Sequence, residues 1–184
     1  MPAGTDYETY TYCVDSADSI IFVNDAWCAF ATANDAPELT AEAVLHHSLW
    51  GFIADPETTQ LYREIFARTR RSGNAVTIPF RCDAPALRRY MQLDIQPLDG
   101  GRLRLTGRVL RLERRAPVAL LDRGVERGRE LLRMCSWCKR IAVSADQWLE
   151  AEEAIARLGL FDTPKLPGLT HTICDSCLAG LSPA

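Results

Sequence analysis

The chain has 184 residues, 47% of them hydrophobic, and a formal net charge of −3 at pH 7. That is enough for one ordinary domain, or a small domain with an appendage, of globular composition. The small, evenly spread charge gives no global electrostatic case for binding nucleic acid or an acidic membrane.

The first residues, MPAGTDYETYTY, lack a basic start and an apolar core, so they do not read as a signal peptide. Two short β-rich runs follow, Tyr10–Val14 and Ile20–Val23, with the turn formers DSADS between them. Asn24 then caps a helix with Trp27, Phe30 and Ala31 on one face, and NDAPEL (34–39) breaks it. Residues 40–54 are apolar but irregular and predict short helical turns. Asp55 as N-cap, Pro56 at the first helical position and Gly73 as the stop define a longer helix, with Leu61, Ile65 and Phe66 on its inward stripe.

The period then changes from helix to strand. Val76, Ile78, Phe80 and Cys82 alternate with Ala75, Thr77, Pro79 and Arg81; Met91, Leu93 and Ile95, and then Leu103, Leu105, Gly107 and Val109, alternate with polar neighbours. DGG (99–101) is a hairpin turn, and the phase slip at Leu110 and Leu112 predicts a bulge near Gly107. The result is an antiparallel meander. The charged stretch 115–130 reads as a connector, partly helical, although Gly124 and Gly128 count against a helix.

No apolar run approaches the ~18 residues that a membrane span needs, so the expected compartment is the cytoplasm. There, spaced cysteines read as metal ligands or redox thiols. Of seven cysteines, Cys13, Cys28 and Cys82 stand alone in apolar stretches, and four form two pairs. Cys135-x2-Cys138 and Cys174-x2-Cys177 enclose 35 residues. One CxxC turn supplies half a tetrahedral thiolate site, and the second completes it and staples two distant segments. Between the pairs, Ser144 and Gln147 fit a capping box for a helix through Leu158, with Trp148, Ala151 and Ile155 inward and Gly159 as its end. The preferred set is the four cysteines on a structural zinc ion. Iron on the same thiolates is the alternative metal. His171 is a reserve ligand, or a hydrogen-bond partner to a ligand sulfur. Lys139 and Arg140 follow Cys138, and cations lower thiol pKa, so a rival reading makes the four cysteines a redox sensor that loses its ion on oxidation.

The order strand, strand, short helices, longer helix and three-strand meander resembles that of PAS sensor domains. YTYCVDSADSIIFVNDAWCAFA, LWGFIADPETTQLYREIFARTRRSG and FRCDAPALRRYMQLDIQPLDGGRLRLTGRVL carry the likeness, over residues 8–114. Residues 131–184 resemble a tail found after PAS or receiver modules in some bacterial signalling proteins. Its parts here are CSWCKR (135–140), WLEAEEAI (148–155) and HTICDSCLAGL (171–181); LGLFDTPKLPGL (158–169) is longer and more apolar than that tail implies. The resemblance implies an α/β (α+β) fold, a PAS-like antiparallel sheet with short helices, then a small helical zinc-stapled module. It also implies a sensory role exercised through another signalling protein, a homodimer, and a small-molecule ligand in the PAS core.

Haem and flavin are not predicted. His46–His47 is one adjacent pair without a second axial-ligand pattern, and the Asn-Cys-Arg motif of flavin-bonding PAS domains is missing. Cys28 and Cys82 sit on apolar faces and read as core. Arg88–Arg89 and RVLRLERR (108–115) read as a solvated face. With no nucleophile triad, phosphate loop or acid-base pair placed by a motif, no catalytic residue and no enzymatic activity are expected.

Overall fold

The computed structural model describes residues 9–34, 36–53 and 55–180. Two compact units are present. The first comprises Met1–Phe80 with Tyr90–Arg111; the second comprises Arg81–Arg89 with Leu112–Ala184.

The first unit follows the predicted chain order. Strands β1 (Tyr10–Val14) and β2 (Ile20–Val23) pair antiparallel, with a register shift between Cys13 and Val14. Asn24 caps α1 (Asp25–Ala33): its Oδ1 accepts from the Trp27 N–H at 2.9 Å and from the Thr11 N–H at 3.0 Å. After α2 (Ala41–Val44) and a 3-10 turn (Leu49–Phe52) comes α3 (Pro56–Ser72), capped by the Asp55 side chain on the Thr58 N–H. Gly73 ends α3 at φ +68°, a left-handed conformation that glycine adopts without strain. Strands β3 (Val76–Arg81), β4 (Leu87–Pro97) and β5 (Leu103–Arg114) complete a five-stranded sheet of order β2-β1-β5-β4-β3. Phe66, Ile20, Ile78, Ile95, Leu103 and Leu105 are fully buried.

Arg70 ties the two turns of this unit to α3. Its Nε donates to the Gly101 carbonyl at 2.8 Å, and its Nη2 donates to the Asp15 carbonyl at 2.9 Å and to Asp18 Oδ1 at 2.6 Å. Asp18 also accepts from the Trp50 indole at 3.1 Å.

Against β1, strand β5 shows no bulge up to Gly107. The β1–β5 register runs without a shift from Val14↔Leu103 to Tyr10↔Gly107, and the inward phase holds through Val109. Leu110 and Leu112 are then simply exposed, at 51% and 45%.

The second unit carries more strand than the sequence suggested. The stretch expected as a partly helical connector forms a 3-10 turn (Ala119–Leu121) and begins strand β6 (Arg127–Cys135). Strands β7 (Ile141–Ala142), β8 (Trp148–Leu149) and β9 (Leu166–Thr172) complete a sheet of order β8-β7-β6-β9, in which β6 and β9 run parallel. Helix α4 is shorter than predicted, Ala151–Arg157. The Ser144–Gln147 contact does form, at 3.2 Å, but it closes the β7–β8 hairpin, where Ala142 pairs with Trp148. An aromatic residue in a pairing position favours strand over the first turn of a helix. Gly159 follows the helix at φ +64°, as expected. The apolar stretch 158–169 supplies Leu160 and Leu169 to the core around Leu120, Ile141, Ala154 and Ile155. Phe161 points outward, 76% exposed. Helix α5 (Asp175–Ala179) ends the described chain.

Candidate metal centre

Both cysteine pairs sit where a strand ends. Cys135 is the last residue of β6, and the chain turns back at once: the Cys135 N–H donates to the Arg140 carbonyl at 2.8 Å, and the Lys139 N–H donates to the Cys135 carbonyl at 3.0 Å. Lys139 takes the left-handed φ of +61° that closes this knuckle. Cys174 follows β9 and precedes α5, and its carbonyl accepts from the Cys177 and Leu178 N–H groups at 3.0 and 2.9 Å. Parallel pairing makes the two knuckles meet. Cys135 lies opposite Thr172, and the Ser136 N–H donates to the Thr172 carbonyl at 2.7 Å.

The four sulfurs of Cys135, Cys138, Cys174 and Cys177 all lie within 4.8 Å of one another. Cys138 Sγ and Cys174 Sγ are 3.7 Å apart. A tetrahedron with Zn–S bonds of about 2.3 Å has S···S edges of about 3.8 Å, so the cluster has the size of a four-thiolate metal site. Cys135 and Cys174 are buried, and Cys138 and Cys177 are half-buried. His171 is not in the group; it is an exposed residue of β9, opposite Met134.

The protein prepares charge on one sulfur. Cys135 is held far below the ordinary thiol value, first by the hydrogen bond from the Cys138 thiol, then by the backbone N–H groups of Cys138, Cys174 and Trp137, against the opposing effect of burial. The Cys174 N–H donates to Cys135 Sγ at 3.4 Å. Cys138, the donor in that pair, is pushed up, with burial adding to the effect. Burial pushes Cys177 up to about 12. Lys139 is pressed down by burial, opposed by Cys82, Asp83 and the cluster thiols. Amide donors and a nearby cation are the surroundings in which thiolates ligate a metal.

An ion-pair network that the sequence did not reveal is built onto this centre. Arg81, expected on the polar face of β3, is buried at 8% exposure, while Cys82, expected inside, is half-buried. Both Glu150 oxygens accept from Arg81 Nη1, at 2.9 and 2.8 Å. The Arg81 Nε donates to Asp83 Oδ1 at 3.2 Å, and its Nη2 pairs with Asp83 Oδ2. Arg115 lies 3.3 Å from the same Asp83 and 3.2 Å from Glu152. Arg88, expected on a solvated face, pairs with Glu113 at 3.0 Å and Glu152 at 2.9 Å. Arg140 reaches Glu150 at 3.3 Å. Four arginines thus face four carboxylates, and the Arg81 N–H donates to the Trp137 carbonyl, inside the first knuckle, at 2.7 Å. The missed signal was charge balance between distant segments: RCDAPALRR at 81–89 against EAEE at 150–153.

The remaining candidates fall elsewhere. His46 and His47 are both exposed in the loop after α2. Cys28 is half-buried on α1, and Cys13 is buried in β1. In the first unit a cavity of ≈ 300 Å³ is lined by Tyr12, Trp27, Leu49, Phe52 and Tyr62 among others. Burial raises both phenols, Tyr12 strongly and Tyr62 to about 12. No helix among the described residues is long and apolar enough to cross a membrane.

No family model matches the chain, and no curated protein matches it. Among solved structures, a domain of an HTR-like protein from Haloarcula marismortui aligns with a TM-score of 0.42 at 15% identity, over 56% of this chain and 98% of that one. A sensory box sensor histidine kinase from Vibrio cholerae aligns with a TM-score of 0.43 at 11% identity, over 56% of this chain and 82% of that one.

Proposed function

We propose that the chain is a regulatory protein: a PAS-type sensory unit followed by a module folded around one structural zinc ion. The observation that carries the metal reading is the cluster of four sulfurs within 4.8 Å of one another. All four positions of a tetrahedron are then protein thiolates, which leaves no open place for a reacting water and favours a structural over a catalytic ion. Zinc is preferred to iron as the common occupant of a closed four-cysteine site. The sensory reading is supported by the element order of the first unit and by its aromatic-lined cavity, which suits a small apolar ligand. Output through a partner signalling protein, as a cytoplasmic homodimer, completes the proposal.

Metal analysis and an absorption spectrum on one reduced, purified sample test it. The expected result is about one zinc per chain and a spectrum without Soret or flavin bands. Absence of metal would overturn the zinc reading. A visible charge-transfer spectrum would move it to iron. A Soret or flavin band would replace the apolar ligand with a prosthetic group.

One observation favours a second reading, redox release of the ion. Cys138 and Cys177 are half-exposed while their partners are buried, so an oxidant can reach one sulfur of each pair. Low-dose peroxide that frees zinc, with recovery on reduction, supports that reading; zinc retention through the same treatment removes it.

A further inference from the structure

The second unit holds a cavity of ≈ 370 Å³ that the metal centre does not use. Leu121, Met134 and Leu169 supply apolar lining; Arg123, Arg127 and Lys139 also line it. Its charge is unbalanced. Asp83 is the one carboxylate among the lining residues, and it is already shared by Arg81 and Arg115. Among the described residues, Arg127 is fixed in place by neutral groups alone, the carbonyls of Pro167 and Leu120, each at 3.1 Å, and that of Asp122. Carbonyls orient a guanidinium but leave its charge uncompensated. Arg123 is exposed and forms no ion pair among the described residues. Lys139 donates to the Ser136 carbonyl at 2.7 Å and also faces the cluster thiols, so the two arginines carry the imbalance.

A cavity lined by both uncompensated cations and apolar side chains selects a ligand with both characters. We infer that this cavity binds a small organic carboxylate with a compact apolar body, its charged end on Arg123 and Arg127 and its body against Leu121, Met134 and Leu169. The volume lies at the lower end of the ~300–1,000 Å³ typical of small-molecule sites, which suits a one- or two-ring acid better than a nucleotide. Carboxylate recognition by guanidinium is charge-assisted and directional. Inorganic phosphate would satisfy the arginines and leave the apolar lining wet.

Calorimetric titration of the full chain with 2-naphthoate, 2-naphthamide and inorganic phosphate, at one ionic strength, tests this. The expected result is saturable one-site binding of 2-naphthoate, with the neutral amide and phosphate each at least tenfold weaker. Arg123→Glu, at an exposed position, is expected to weaken 2-naphthoate at least tenfold without altering the circular dichroism. Arg127→Lys, which keeps a charge but loses the planar fork, is expected to fall between the two. The proposal is overturned by lack of saturable naphthoate binding, by equal affinity for the amide or for phosphate, or by an Arg123→Glu variant that binds as the parent does. Metal content, measured on the same samples, reads the zinc proposal separately.

Discussion

Arg81 holds Glu150 with both carboxylate oxygens on one nitrogen, at 2.9 and 2.8 Å, while its own backbone N–H donates to the Trp137 carbonyl at 2.7 Å. One residue therefore joins the β3–β4 connection, the start of α4 and the first cysteine knuckle. Its side chain is 9% exposed and that of Asp83 is 2% exposed, so the charges are largely out of water.

Removing Arg81 leaves Asp83 and Glu150 partly uncompensated. Breaking a buried pair from one side costs about 3–5 kcal/mol. Arg81→Met should destabilise the protein by that order in urea unfolding, whereas Arg104→Ala, at an exposed position of β5, should stay within about 0.5 kcal/mol. Equal effects would show that the network contributes little.

The network also sets an acid dependence. Burial alone would raise the Glu150 carboxyl, but the hydrogen bonds and charge of Arg81, with Arg140 and Arg88, outweigh it and hold the carboxyl below its ordinary value of 4.5. Glu152 is likewise held down: against burial act the hydrogen bond from its own backbone N–H, then Arg88 and Arg115. A depressed carboxylate stabilises the folded state above its unfolded value, and that contribution is lost as pH falls through the folded value. Carbon-13 NMR of the Glu150 carboxyl should give a midpoint below 4.5. The stability gap between the parent and Glu150→Gln should be full at pH 6 and should close below pH 4.5. A gap independent of pH would contradict the assignment.

The proposed ligand set contains the four cysteines and leaves out His171. Cys138→Ser and Cys177→Ser should each lower zinc content well below one per chain, and the second unit should lose protection from proteolysis. Structural zinc contributes about 10–16 kcal/mol of apparent binding free energy in small zinc domains, and that energy is folding energy. His171→Ala should keep the full metal content, since His171 lies outside the sulfur cluster. Metal loss on His171→Ala with retention on Cys177→Ser would reverse the assignment.

In the first unit, Arg70 makes three hydrogen bonds that join α3 to the β1–β2 and β4–β5 turns. Hydrogen bonds involving charged groups are worth about 1.5–3 kcal/mol each, and losses within one network do not add. Arg70→Met should cost at least about 1.5 kcal/mol in thermal or urea unfolding. A neutral result would mean that water replaces all three contacts.

What the sequence disclosed was local. Asp55, Pro56 and Gly73 delimit α3 through contacts within a turn of each residue, and the CxxC spacings point to a shared site because each turn presents two sulfurs at once. The parts that stayed hidden depend on distant partners. Arg81 looks like a solvated residue until Glu150, 69 positions away, is placed beside it. Strand β6 lies in a Gly- and charge-containing stretch that is extended because β9 pairs with it, some 40 residues later, and no pattern within 127–135 announces that partner. Ser144 and Gln147 show the same limit in miniature: the predicted contact forms, and the hairpin decides what it closes.

The parallel pairing of β6 with β9 also sets an order in time. During synthesis Cys135 and Cys138 emerge first, and 35 residues separate Cys138 from Cys174. Two thiolates make only half a tetrahedral site, so under the zinc proposal an ion that met the nascent chain early would be held by half of its final ligands. Only after β9 has laid itself alongside β6 do all four sulfurs converge. On the proposed zinc reading, a firmly held ion would therefore be a receipt for a chain made through its second knuckle and folded in register; a chain interrupted before residue 174 would give the ion up.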